Sequence, residues 1–323
     1  MRRALHAHFD LATGDCAVDG RPANYFEFAY DWRRDNRVSA LRLKAFLDRE
    51  LAKWARTLPY GRPKTVLLCH SMGGLVAKYY LDVLCGWEHC RALITFGTPF
   101  RGTLAALDVL ANGVHALGTR LNAVSDVLGA FTSVHQLLPR YPVLLDRSPG
   151  TPPGQRPGHV HLSPVRLGTL DPARASAAYQ DFHRRMDTHS PGPAAPLLPV
   201  VGYGHRTAQT AVFDGKRLRI TTDPAALGAD RRQFATGDWS VPAVAAIPVE
   251  APASTRPATC AGSPARPRTG CATSRTAATP CTGASAGWTP RPPGTGRTSR
   301  SAWSGVAFTS PWAPDRVLAP VPR

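Results

Sequence analysis

Thr65-Val66-Leu67-Leu68-Cys69-His70-Ser71-Met72-Gly73-Gly74-Leu75-Val76-Ala77-Lys78-Tyr79-Tyr80 carries an apolar run that breaks at one serine among small residues and resumes as an amphipathic run. The first part has the length and β-branched content of a buried strand, and the second has the spacing of a helix. A strand that turns sharply into a helix lifts the serine hydroxyl above the sheet edge, where it can attack a carbonyl. A serine capping an ordinary helix would look similar over so short a window. The strict form of the elbow motif has glycine two residues before the serine, where this chain has the small side chain of Cys69. The neighbouring segments decide between the two readings.

Upstream, Asn24-Tyr25-Phe26-Glu27-Phe28-Ala29-Tyr30-Asp31-Trp32-Arg33 alternates as a half-buried strand over Tyr25 to Tyr30 and ends in a charged turn. Val38, Leu41, Ala45, Leu51 and Trp54 then recur near helical spacing, with Asn36 in the place of an N-cap. After the elbow helix, expected over Met72 to Leu84, comes a second apolar strand at Leu93 to Phe96, running into Gly97-Thr98-Pro99. Strands alternating with helices imply a parallel sheet with helices on both faces. From about 101 to 196 the pattern loosens into helical pieces such as Leu104 to Leu110 and a Pro/Gly-rich run around Pro149 to Pro157. Strand character returns at Leu197 to Tyr203, and Thr210 to Ile220 reads as a hairpin on Asp214-Gly215.

In that order, Tyr30-Asp31-Trp32-Arg33, His70-Ser71-Met72-Gly73-Gly74, Phe96-Gly97-Thr98-Pro99 and Gly237-Asp238-Trp239-Ser240-Val241-Pro242 resemble the lecithin:cholesterol acyltransferase family of α/β-hydrolases, in a bacterial-looking version. The resemblance covers about residues 1 to 250. It implies an α/β-hydrolase domain with a lid or acyl-pocket insertion at about 101–196, and serine acyl transfer on ester lipids through an acyl-enzyme on Ser71. Asp238 takes the place of the family's catalytic aspartate, with Trp239 and Ser240 where the family has glycine and threonine. The Met72 N–H would supply one oxyanion donor, and Trp32 could line the acyl pocket, although an aromatic beside a core strand more often packs. Asp31 and Arg33 read first as an ion pair that sets the turn. The resemblance implies no cofactor and no metal, and its substrate would be a lipid ester passed to an alcohol or to water.

Two of the family's parts have no counterpart. In this fold the triad follows the order Ser, Asp, His, yet the last histidine is His205, ahead of Asp238. His70 adjoins the nucleophile and should point away from its hydroxyl; His205, in a Gly-His-Arg loop, is the nearest thing to a stand-in. The family's N-terminal strand, with the loop that gives the second oxyanion donor, is also missing, since only a helix-like Ala4 to Leu11 and a Gly/Asp turn precede Tyr25. The first alternative to an enzyme is therefore an inactive hydrolase remnant.

Beyond residue 250 the composition changes. Residues 251–323 hold no Lys, Glu, Asn, Gln, His, Ile, Tyr or Met and one Leu, with nine arginines against one aspartate. So little apolar surface cannot offset ordering entropy, and a disordered tail is expected. Its composition fits a GC-rich coding region read out of frame. With C or G at wobble positions, Arg268-Thr269-Gly270-Cys271 becomes His-Gly-Leu in another frame, a remnant of the family's histidine loop.

About half of the formal net charge of +17 lies in this tail. A basic binder of nucleic acid or anionic surfaces is the remaining alternative, but the chain has no zinc-finger, RNP-type or helix-turn-helix signature, and nucleic acid is not expected as a partner. The charge is compatible with an anionic lipid surface but is spread without a long basic block. No apolar run reaches about 18 residues, so no spanning helix is expected. The start, Met1-Arg2-Arg3-Ala4-Leu5, lacks a secretory signal's apolar core, which makes the cytoplasm the expected compartment. Seven cysteines at irregular spacing suggest neither a metal site nor a disulfide framework, and Cys85 and Cys90 read as thiols.

Overall fold

The structure is a computed structural model and describes residues 2–14, 23–58, 62–116, 119–150, 162, 172–188, 197–223, 236–248 and 304–307. All of them fall in one unit formed by residues 1–258 and 303–323. The first half runs α1 (Arg2–His8), β1 (Tyr25–Glu27), α2 (Asn36–Ala55), β2 (Thr65–His70), α3 (Gly73–Asp82), β3 (Cys90–Phe96), α4 (Leu104–Asn112), β4 (His115–Ala116), β5 (Thr119–Arg120), α5 (Asn122–Gly129), α6 (Thr132–His135) and β6 (Leu144–Asp146). There follow α7 (Pro172–Thr188), β7 (Leu197–Val200), β8 (His205–Arg206), β9 (Thr210–Phe213), β10 (Leu218–Thr221), β11 (Thr236–Gly237) and β12 (Ser304–Ala307).

The main sheet has the order β1-β12-β2-β3-β7 and every pair is parallel. Leu67 lies opposite Leu93 in β3, and Leu93 opposite Leu197 in β7. Along β2, Thr65, Leu67 and Cys69 are buried while Val66, Leu68 and His70 are half-buried, the unbroken cover expected of a parallel strand. Helices α2 and α3 connect successive parallel strands and pack on each other. Leu43, Leu47 and Leu51 of α2 join Leu75, Val76 and Tyr79 of α3, Leu67 and Leu93 in one core. Burying each such side chain contributes roughly 1.5–3 kcal/mol.

A second core brings Leu104, Leu107 and Leu110 of α4 against Val134, Leu138, Val143 and Leu144 of the insertion and Ala211 and Leu218 of the hairpin. The hairpin forms as its sequence suggests: β9 and β10 pair antiparallel, Gly215 takes φ +96°, and the Asp214 carboxylate accepts the Lys216 and Arg217 N–H groups. Strand β6 pairs with β9 to make a three-stranded sheet with β10 at its edge.

Several expectations change. The strand at Tyr25 stops at Glu27, opposite Ala307, the last residue of its partner strand β12. Asp35, not Asn36, caps α2: its carboxylate accepts the Arg37 N–H at 2.8 Å, and Asn36 is the first helical residue, fully buried. The cap is tied to the insertion, since Gln136 donates to Asp35 and accepts the Asn36 N–H. Arg37 pairs with both Asp35 and Asp181 of α7. Cys85 is disulfide-bonded rather than a thiol, a pairing that spacing along the chain does not encode. Cys69 and Cys90 are free and buried, and burial pushes the Cys69 thiol up and that of Cys90 up to about 11, which leaves both unreactive. Of the segment 251–323, Ser304–Ala307 is β12, lying between β1 and β2. The rest of that segment, and the Pro/Gly-rich run from 151 on apart from residue 162, lie outside the described residues. No described helix is long and apolar enough to cross a membrane.

Candidate active site

Ser71 stands at the bend between β2 and α3 with φ +51°, in the left-handed region. A non-glycine residue rarely adopts that conformation, and it persists where surrounding bonds over-determine it. Here the bonds are visible. The Ser71 N–H donates to the Phe96 carbonyl at 2.9 Å, continuing the β2–β3 ladder by one rung. The Ser71 carbonyl accepts from Thr98 Oγ1 at 2.9 Å and from the Gly74 N–H at 3.1 Å. Gly74 is required for this closure, because a Cβ there would stand 2.1 Å from Thr98 Oγ1. Met72, with its side chain buried, precedes the first turn of α3. Its N–H has no acceptor among the described residues, as the first amides of a helix have none within it.

Asp238 lies one strand across. Its Oδ1 accepts the N–H groups of Ser240 at 3.1 Å and Val241 at 2.7 Å, which fixes the loop after β11. Its other face rests on bare backbone: a Cβ on Gly97 would come 2.5 Å from Asp238 Oδ2, and a Cβ on Gly202 would come 2.7 Å from the Asp238 Cβ. Gly97 directly follows β3, has φ +54° and donates to Val200 of β7. The carboxylate is therefore seated where β3 and β7 end, beside the strand end that accepts the Ser71 N–H. Parallel sheets place their ligand sites at this carboxyl end. Thr103 ties the loop to the start of α4 by donating to the Ser240 carbonyl at 2.7 Å. Phe96-Gly97-Thr98-Pro99 reads as a turn, and that Gly97 and Gly202 form the seat of the aspartate is not evident from that stretch alone. The signal available was the pairing of two glycine-bearing strand ends.

The imidazoles are placed as follows. His70 is half-buried; burial lowers its pKa, and the nearby Asp238 carboxylate acts in the opposite direction. His205 lies opposite Gly237 in the β8–β11 pair, and its exposed ring stacks on Trp239 with centroids 4.8 Å apart. Trp239, 70% exposed, holds φ +81°, and its N–H donates to Thr207 Oγ1. No imidazole hydrogen-bonds Ser71 or Asp238 among the described residues. Trp32 is partly buried between the two cores and meets Phe131 edge-on at 5.3 Å. Among the described residues no group of His, Cys, Asp and Glu is arranged to hold a metal ion.

Residues 15–148 match the sequence profile of the lecithin:cholesterol acyltransferase family. No curated protein matches the chain. Similar solved structures include the Tle4–Tli4 complex, at a TM-score of 0.43 and 17% identity over 63% of this chain and 48% of that one. Another is the mature form of the Bacillus licheniformis lipase BlEst2, at a TM-score of 0.21 and 18% identity over 36% of this chain and 49% of that one. The chain thus spans about half the length of each.

Proposed function

We propose that the chain performs serine acyl transfer on lipid esters, as a hydrolase or O-acyltransferase, with Ser71 as nucleophile and Asp238 as the acid of its relay. The observation that carries this reading is the left-handed Ser71 at a strand-to-helix bend, one strand from a carboxylate seated on two glycines. Ser71 Oγ attacks the ester carbonyl, its proton passes to a base, and the alcohol leaves with a proton from that base. The Met72 N–H, with no acceptor among the described residues, donates to the oxyanion. The acyl group then moves to water or to an alcohol. The lipid class of the ester comes from the family match over residues 15–148. Trp32, packed on Phe131 between the two cores, is the aromatic we assign to the acyl side.

One observation favours a second reading, a hydrolase fold without turnover: no described imidazole bonds to Ser71 or Asp238. Hydrolysis of p-nitrophenyl butyrate by the full chain, beside Ser71→Ala, separates the two. Turnover by the full chain that Ser71→Ala abolishes supports acyl transfer; identical traces support the inactive form. His205→Ala and His70→Ala, run in parallel, identify the proton acceptor.

A further inference from the structure

A cavity of about 750 Å³ opens between the C-terminal half of α4, the β4–β5 hairpin and the β9–β10 hairpin. Its lining includes Arg120, Lys216, Arg217 and Arg219, all exposed, with His115 beside them. None of the four cations forms an ion pair among the described residues. The one carboxylate in the lining, Asp108, is occupied by the Asn112 amide at 2.6 Å. The adjacent Asp214 carboxylate is turned onto its own hairpin backbone, and the Arg217 and Lys216 N–H groups, with a smaller contribution from the Arg217 charge, hold its pKa below the usual range. Positive charge thus outweighs the carboxylates beside it.

The site also has a built element. Gly113, with φ +79° at the end of α4, leaves the space that the Arg120 side chain uses: a Cβ there would stand 2.6 Å from Arg120 Nε. The floor is apolar, formed by buried Leu218 with half-buried Phe213 and Ile220. Asp108 lies a turn into α4 and Asn112 at its end, which puts the cavity on the order of 10 Å along the helix from the Thr103–Ser240 link to the Asp238 loop. No lining residue belongs to the elbow or to that loop.

We propose that this cavity binds a phosphate group carried on an apolar molecule, a ligand site separate from the one at Ser71. Four cations against one engaged carboxylate call for more than one negative charge. A phosphate ester offers up to two charges and three acceptor oxygens, and guanidinium forks match those oxygens in pairs. A carboxylate offers one charge and two oxygens. Hydrocarbon next to the phosphate rests on Phe213, Leu218 and Ile220, which a free inorganic anion would leave uncovered.

The test uses the full chain carrying Ser71→Ala, so that binding is read without turnover and independently of the acyl-transfer proposal. Hexyl phosphate and inorganic phosphate are titrated calorimetrically at fixed ionic strength. Flotation is measured with phosphatidylcholine vesicles, with and without phosphatidic acid. Hexyl phosphate binding more tightly than inorganic phosphate, and weakened about tenfold or more by Arg120→Gln/Arg219→Gln, is the expected soluble-ester result. Flotation that needs phosphatidic acid and is lost in the same double variant identifies a lipid headgroup as the source; either outcome supports the site. Arg42→Gln/Arg56→Gln removes two exposed charges elsewhere and should leave both readouts unchanged. Absence of binding to every probe, or equal weakening by the two double variants, overturns the proposal.

Discussion

At Ser71 the backbone works against stability. Holding a non-glycine residue in the left-handed region costs on the order of 1–3 kcal/mol, and Ser71 does so with φ +51°. Ser71→Gly is expected to raise the free energy of unfolding, by about 1 kcal/mol or less once glycine's extra freedom in the unfolded chain is counted, and to abolish any esterase activity. Gly74→Ala should act in the other direction. Alanine is the better helix former by roughly 1 kcal/mol, but its Cβ would stand 2.1 Å from Thr98 Oγ1, and such overpacking costs typically 1–3 kcal/mol. A lowered midpoint for Gly74→Ala, partly recovered by adding Thr98→Ala, would identify the clash as the cause; urea unfolding of the three variants measures it. Trp239 holds φ +81° at a position where the resembled family has glycine. Its ring, stacked on His205, gains little from burial at 70% exposure.

Helix α7 shows how an insertion is fixed to a core. Phe182 is fully buried and stacks on Tyr79 of α3 at 5.4 Å, and Arg140 pairs with Asp187. Phe182→Ala should cost about 3–5 kcal/mol and free the helix, seen as proteolytic cleavage within 172–188 before global unfolding. Next to it, His183 is 3% exposed, with Nε2 donating to the Gln136 carbonyl at 2.9 Å, and burial lowers its pKa to about 3. A histidine whose folded pKa lies below its unfolded value of about 6.5 leaves stability intact above that value. As pH falls from about 6.5 toward 3, the unfolded chain takes up a proton that the folded chain refuses. Stability then drops with a slope of up to about 1.4 kcal/mol per pH unit. Urea midpoints of His183→Gln should fall less steeply between pH 6 and pH 4 than those of the unsubstituted chain. What the sequence disclosed at this scale follows the same physics. The stretches with strong periods, α2, β2, α3, α4 and the hairpin, were legible within a few residues because local pattern and tertiary packing agree there. Asp35 displacing Asn36 as cap was not, because the choice depends on Gln136, about a hundred residues away. The glycine seat of Asp238 was likewise hidden, since it joins strand ends far apart in sequence.

Across the whole molecule, the least legible feature is β12. Apolar pattern marks β1, β2 and β3, whereas Ser304-Gly305-Val306-Ala307 sits in a segment dominated by Ala, Arg, Thr and Pro. Its partners on both sides, not its composition, make it a strand. Proline cannot donate to a ladder and is excluded from central strands. Val306→Pro should therefore lower the thermal midpoint of the full chain by several degrees, whereas the same change at an exposed loop position would not; differential scanning fluorimetry distinguishes them. The basic cavity belongs to this scale too, since it draws its cations from two hairpins and a helix that only tertiary packing brings together.

Because Tyr25 reaches Val66 only through Gly305, the ribosome must add well over two hundred residues after β2 before the central layer can close. Nascent chains at roughly 5–20 residues per second would wait with β1 and β2 unjoined for on the order of ten seconds to a minute. That interval is when holdase chaperones, or a strand from another copy, would compete for the gap.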